Sequence, residues 1–147
     1  MFASLFCMGC KESNTEQGEN QDIQKQEAAK TTNPFASVNE EIKATPNNSV
    51  LYYERAKLLV LNNAVEDALK DLERAIMLDS LNSDFYLLKG EVYFKSRKTI
   101  EAKKLIEKSI SLNPENVDAH LKLAEMYFYA NQFAESIKSI NNALKVD

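Results

Sequence analysis

Three sets of residues in this 147-residue chain have types suited to chemistry: the run Cys7-Met8-Gly9-Cys10, the single histidine His120, and the carboxylates spread along the chain. A redox C-x-x-C needs a strand and a helix around it, and neither pattern flanks Cys7 and Cys10. A metal site would need two more ligands nearby, and the neighbouring sequence does not supply them. His120 shares no motif with a nucleophile, so no Ser/His/Asp or Cys/His arrangement is in view. Its position is aromatic in two related segments, which predicts a ring packed between helices. Glu66 and Lys70 stand four apart and read as an ordinary pair on a helix surface. There is no Gly-rich phosphate loop and no zinc spacing. These residues predict a chain that is not an enzyme and has no cofactor and no metal site.

The elements around them fall into three zones. Residues 1–10 are apolar until Lys11, and Met1 to Gly9 carry no charge. Residues 11–33 are polar, with Ile23 the only large apolar side chain. Such a stretch buries too little surface to offset its ordering entropy, so it is expected to be a disordered linker. Residues 34–147 carry apolar side chains at three- and four-residue spacing, the mark of amphipathic helices. Only three Gly and three Pro occur in the whole chain, too few turn residues for a β-sandwich. A net charge of −4 speaks against a nucleic-acid partner, which calls for clustered Lys and Arg. No run approaches the roughly 18 apolar residues of a membrane span.

The third zone repeats itself. TPNNSVLYYERA, DSLNSDFYLLKG and NPENVDAHLKLA begin at Thr45, Asp79 and Asn113, a spacing of 34 residues both times. A period of that length predicts a solenoid whose unit is a helical hairpin. Small residues recur where the helices of a unit must touch: Ala56, Gly90 and Ala124, then Ala68, Ala102 and Ser136, then Ala75, Ser109 and Ala143. Large residues alternate with them at Leu59, Tyr93 and Tyr127 and at Leu72, Ile106 and Ile140. A close-packed interior requires that alternation. The hairpin turns are expected at Asn62-Asn63, Ser96-Arg97-Lys98 and Asn131-Gln132, and Asn tolerates the left-handed conformation that ends many helices. Pro46 and Pro114 mark the junctions between units, with Ser80 in the equivalent middle place.

From Ser49 to Asp147 the chain resembles the tetratricopeptide repeat family, whose pattern is W-x2-L-G-x2-Y, then A-x3-F, then P. The Trp slot holds Tyr52, Tyr86 and His120, and the Gly slot Ala56, Gly90 and Ala124. The Leu slot holds Arg55, Lys89 and Leu123. The two charged residues depart from the pattern, and their stems are expected to pack while their charges reach solvent. The resemblance implies an all-α, right-handed superhelical solenoid of about three repeats, 49–82, 83–116 and 117–147, preceded by a partial helix. It also implies a non-catalytic adaptor or scaffold whose concave groove binds a partner peptide or helix. By slot, the groove residues would be Tyr53, Lys57, Val60 and Leu61, then Leu87, Glu91, Phe94 and Lys95, then Leu121, Glu125, Phe128 and Tyr129. The alternative use of these side chains is to fill space against one another. The Lys, Arg and Asn cluster with which chaperone-tail binders of the family hold a carboxylate is missing, so that ligand class is not expected.

Two readings concern the ends. Met8-Gly9-Cys10 followed by a polar stretch resembles the lipobox of bacterial lipoproteins, in which Cys10 would carry lipid. That resemblance implies a membrane contact only through the lipid and a place in the bacterial cell envelope. The run is shorter than a signal peptide and lacks a basic start. The alternatives are therefore a start further upstream, or a plain apolar N-terminus on a self-associating cytoplasmic protein. At the other end, the last helix, roughly Phe133 to Val146, places Ile137, Ile140 and Leu144 at helical spacing. One flank of that stripe is expected to stay open and to dock a second copy or a partner.

Overall fold

The computed structural model describes residues 33–145. The apolar N-terminus with Cys10, the linker up to Thr32, and Val146 lie outside these residues. Within them the chain forms seven α-helices: α1 (Pro34–Ala44), α2 (Ser49–Leu61), α3 (Val65–Leu78), α4 (Ser83–Lys95), α5 (Thr99–Leu112), α6 (Val117–Tyr129) and α7 (Phe133–Leu144). Helices α2 and α3, α4 and α5, and α6 and α7 pair as hairpins, and each hairpin packs on the next. The fold is the expected all-helical solenoid of three repeats, with α1 packed against α2.

The 34-residue period is written into the helix ends. Asn48, Asn82 and Asn116 are the N-caps of α2, α4 and α6, and each side-chain oxygen accepts from a backbone N–H in the first turn at 3.0–3.1 Å. That satisfies donors a helix start leaves unpaired. The other end of each first helix turns on a residue of positive φ: Asn63 at 57°, Arg97 at 60° and Asn131 at 58°. The next residue's N–H then reaches back five positions, from Ala64 to Leu59, Lys98 to Tyr93 and Gln132 to Tyr127, each at 2.9 Å. This is the Schellman arrangement. The middle left-handed residue is an arginine, and nothing in its type announces that.

The aromatic slot has a polar duty as well as a packing one. The Tyr52 hydroxyl donates to the Pro46 carbonyl at 2.9 Å, and the Tyr86 hydroxyl to the Ser80 carbonyl at 3.1 Å. In the third unit His120 Nε2 lies 2.9 Å from the Pro114 carbonyl. A carbonyl only accepts, so that nitrogen carries the proton. His120 is thus buried and committed to tying the inter-unit turn to α6.

The small residues predicted at helix crossings are all buried. At Gly90 an added Cβ would sit 2.8 Å from Ile106 Cγ1 and 3.2 Å from the Ala102 carbonyl oxygen, so α4 and α5 approach closer than any side chain allows. The core runs as two clusters. One joins Ala56, Ala68 and Leu72 to Val92 of α4. The other joins Leu87, Ala102 and Ile106 to Ala119, Leu123 and Met126 of α6.

Two expectations are corrected. Arg55 and Lys89 do not send their charges to solvent. Arg55 Nε and Nη2 each donate to Asp71 at 2.7 Å and Nη1 donates to Asn39 of α1 at 2.8 Å, while Lys89 Nζ meets Glu73 of α3 at 3.0 Å. Asp71 is only 7% exposed, so Arg55 gains a buried carboxylate partner instead of water, while the Lys89 partner Glu73 stays exposed. The Asp71 hydrogen bonds hold the Arg55 guanidinium above its ordinary pKa despite opposing desolvation. The ion pair on the α3 surface is also different: Lys70 pairs with Asp67 at 2.8 Å, three residues away, rather than with Glu66.

Candidate functional site

Residues one helical turn apart share a face. In α2, α4 and α6 the pairs Tyr53 and Lys57, Leu87 and Glu91, and Leu121 and Glu125 recur at the same two slots. The structure brings all six to one groove of about 450 Å³ that crosses the three helices. Four residues that slot reasoning passed over complete its lining: Asp84 and Leu88 of α4, and Asp118 and Lys122 of α6. The two aspartates stand 34 residues apart, three positions before Leu87 and Leu121, so extending each slot pair back one turn finds them.

The groove has an apolar floor and a charged rim. Tyr53 and Phe85 pack with ring centroids 5.2 Å apart. Lys57 Nζ stands 5.0 Å from the Tyr53 ring centroid and 2.7 Å from Glu54. Lys122 Nζ bridges Glu91 at 3.5 Å and Glu125 at 2.7 Å. Burial on its own would lower the Lys122 pKa, but the Glu125 hydrogen bond and the charges of both glutamates outweigh it and raise it. Asn116 Nδ2 donates to Asp84 at 3.0 Å, which links the start of α6 to the start of α4. Burial pushes the Tyr53 phenol up, and Asp84, Glu54, Glu91 and Asp118 push it the same way. Four carboxylates and two ammonium groups line the groove, a formal balance of −2.

A second cavity of about 270 Å³ adjoins the first, because Leu121 and Glu125 line both. Phe128 and Tyr129 border it with Ser136 and Ile140 of α7. The rings connect: Phe94 to Tyr129 at 6.1 Å, Tyr129 to Phe128 at 6.1 Å, and Phe128 to Phe133 at 5.7 Å. Phe94 is half-buried against the core, and Val60 packs into the first core cluster. Leu61 and Lys95 are the last residues of α2 and α4, are exposed, and line neither cavity.

Among the described residues, no helix covers the outer face of the third hairpin. Leu72 and Ile106 are fully buried, but Ile140 in the same slot is 40% exposed. Leu87 is 9% exposed and its counterpart Leu121 is 47% exposed. In the first two units α4 and α6 supply the covering residues. Phe133, Ile137 and Leu144 extend the open surface. Among the described residues no group of His, Cys, Asp and Glu could hold a metal ion, and no helix is long and apolar enough to cross a membrane.

Residues 61–143 match the family described as anaphase-promoting complex, cyclosome, subunit 3. No curated protein matches the chain. Among solved structures, the crystal structure of MamA superposes with a TM-score of 0.67 at 23% identity, over 76% of this chain and 65% of that one. A second MamA crystal structure gives 0.65 at 23% identity, over 76% and 61%. This chain therefore spans less than two thirds of the MamA chains it matches. The second tetratricopeptide repeat domain of Spaghetti (RPAP3), bound to the HSP90 peptide SRMEEVD, gives 0.63 at 18% identity, over 73% of this chain and 99% of that one. These likenesses concern the fold.

Proposed function

Because this chain belongs to the family described as anaphase-promoting complex, cyclosome, subunit 3, we propose that it is a non-catalytic interaction module whose groove receives a peptide or helix of a partner protein. The observation that carries the reading is the groove itself: three first helices, one from each unit, contribute equivalent side chains to one continuous surface. A repeat protein gains such a surface by stacking, without any single specialised loop. The Spaghetti domain, of the same fold, holds a peptide. That peptide, SRMEEVD, is acidic, and a groove with a balance of −2 does not suit its like.

A photo-crosslinking residue at Leu121 should join a partner, and one at Leu81, which is exposed and outside the groove, should not. Capture equal from both positions, or unchanged by Leu121→Ala with Tyr53→Ala, would remove the groove from the reading.

The open face of α6 and α7 favours a second reading, in which two copies associate through the C-terminal helix. An exposed apolar stripe of this kind commonly marks an interaction surface. Sedimentation across a concentration series should show an oligomer that Ile137→Lys dissolves; a strict monomer would exclude it. The run Met8-Gly9-Cys10 supports a third element, a lipid at Cys10 that tethers the module to a bacterial cell envelope. Radiolabelled palmitate should then enter the protein in a bacterial host and fail to enter Cys10→Ser.

A further inference from the structure

We propose that the occupant of the groove is a cationic amphipathic segment of a partner protein, one that sets Lys or Arg beside large apolar side chains. The proposal rests on the groove reading above and names the partner's chemistry. The floor fixes the apolar half of that chemistry: Tyr53, Leu87 and Leu121 repeat at one slot in three successive helices, and Leu121 is left 47% exposed. A peptide that covers this floor must place apolar side chains at matching intervals.

The rim fixes the charged half. Both groove lysines already have carboxylate partners, Lys57 in Glu54 and Lys122 in Glu91 and Glu125. A partner's acidic group would have to break one of those pairs. Among the described residues, no lysine or arginine lies within ion-pair distance of Asp84 or Asp118, and the two occupy the same slot of α4 and α6. Among the described residues, the Asp84 side chain accepts from uncharged groups, Asn116 and Ser83. Their field reaches the floor, since both carboxylates act on the Tyr53 hydroxyl. With both lysines paired to glutamates, the charge left unpaired in the groove is negative, and such a cleft over apolar walls concentrates ligands of the opposite sign.

Three fluorescent peptides of roughly 16 residues test this on the full chain: a Leu/Lys amphipathic sequence, its Glu-for-Lys counterpart and its Gln-for-Lys counterpart. Anisotropy at about 25 mM and about 300 mM salt is the measurement. The Lys peptide should bind about tenfold tighter than the Glu peptide at low salt, and the gap should shrink at high salt. Asp84→Asn with Asp118→Asn should remove most of the gap. Asp84→Glu with Asp118→Glu should keep it, and so should Glu66→Gln with Glu101→Gln, exposed acids outside the groove lining. Thermal melts of each pair read folding directly, and the Glu pair keeps the charge if the Asn pair melts early. Equal affinity for the Lys and Glu peptides overturns the proposal, as does a loss that follows Glu66 and Glu101 as strongly as Asp84 and Asp118. If the Gln peptide then still binds and Leu121→Ala weakens it, the groove reading stands without this one. If none of the three peptides binds, both fall.

Discussion

The junctions inside the solenoid and the face at its end are built from the same kinds of residue, yet they differ in burial. Leu72 and Ile106 are sealed by the hairpin that follows each of them, while Ile140 in the same slot is 40% exposed. The difference is not in the residue type, since all three are branched aliphatics of similar size. It lies in whether another helix is present to cover the slot. A periodic sequence therefore tells which positions can pack, and the neighbouring unit decides which do.

The sharpest way to break that contrast is a pair of truncations. Ile106→Ala removes a fully buried side chain between two hairpins and should cost about 2–5 kcal/mol. Ile140→Ala takes away atoms already partly in water and should cost about 1–1.5 kcal/mol. Urea unfolding followed by circular dichroism measures both. Equal costs would mean that the third unit's face is covered in solution, which self-association would do.

Gly90→Leu probes the sealed side from the opposite direction. A Cβ alone would stand 2.8 Å from Ile106 Cγ1, so a leucine must push α4 and α5 apart. The expected loss is about 1–3 kcal/mol. An unchanged melting temperature would show that this crossing is looser than the described geometry.

Arg55→Ala tests the first unit, where a charged residue replaces an apolar one. It would leave Asp71 buried without its fork of two hydrogen bonds. Arg55 keeps about a quarter of its side chain exposed while Asp71 is buried, so the expected loss is about 1–3 kcal/mol, below that of a fully buried pair. Arg55→Leu with Asp71→Leu should recover much of it. If Arg55→Ala costs nothing, the pair only decorates the surface.

These contrasts separate what the sequence makes legible from what it does not. The 34-residue register, the small residues at the crossings and the Asn turns are local or periodic features, and each is found where the pattern puts it. The partners of Arg55 and Lys89 were not legible. Asp71 and Glu73 lie 16 residues away on another helix, and nothing local marks which carboxylate will meet a cation of the preceding or following helix. Tyr53, Leu87 and Leu121, which the sequence sets in one slot of three units, line one groove, whereas Val60 and Phe94 in another repeated slot do not. Asp84 and Asp118 escaped because the first unit carries Val50 in their slot. Leu61 and Lys95 follow from the family's slots, and a slot does not show how far along a helix the cavities extend: both residues end their helices and line neither.

The smallest expected effect concerns the turns. Hairpins one and three turn on Asn63 and Asn131, and the middle hairpin on Arg97, all with φ near 60°. In that conformation a Cβ crowds the following carbonyl, which costs roughly 1–2 kcal/mol for most residues and less for Asn, whose short side chain bonds locally. The middle unit is packed against a hairpin on each side, which holds a strained turn in place. Arg97→Gly relieves the crowding but raises the entropy of the unfolded chain. The net gain should be about 0.5–1 kcal/mol, read as a higher urea midpoint with an unchanged slope. Arg97→Asn should gain less. A lower midpoint for both would mean that the arginine makes a contact at this turn worth more than the strain, and the three turns would then no longer be equivalent.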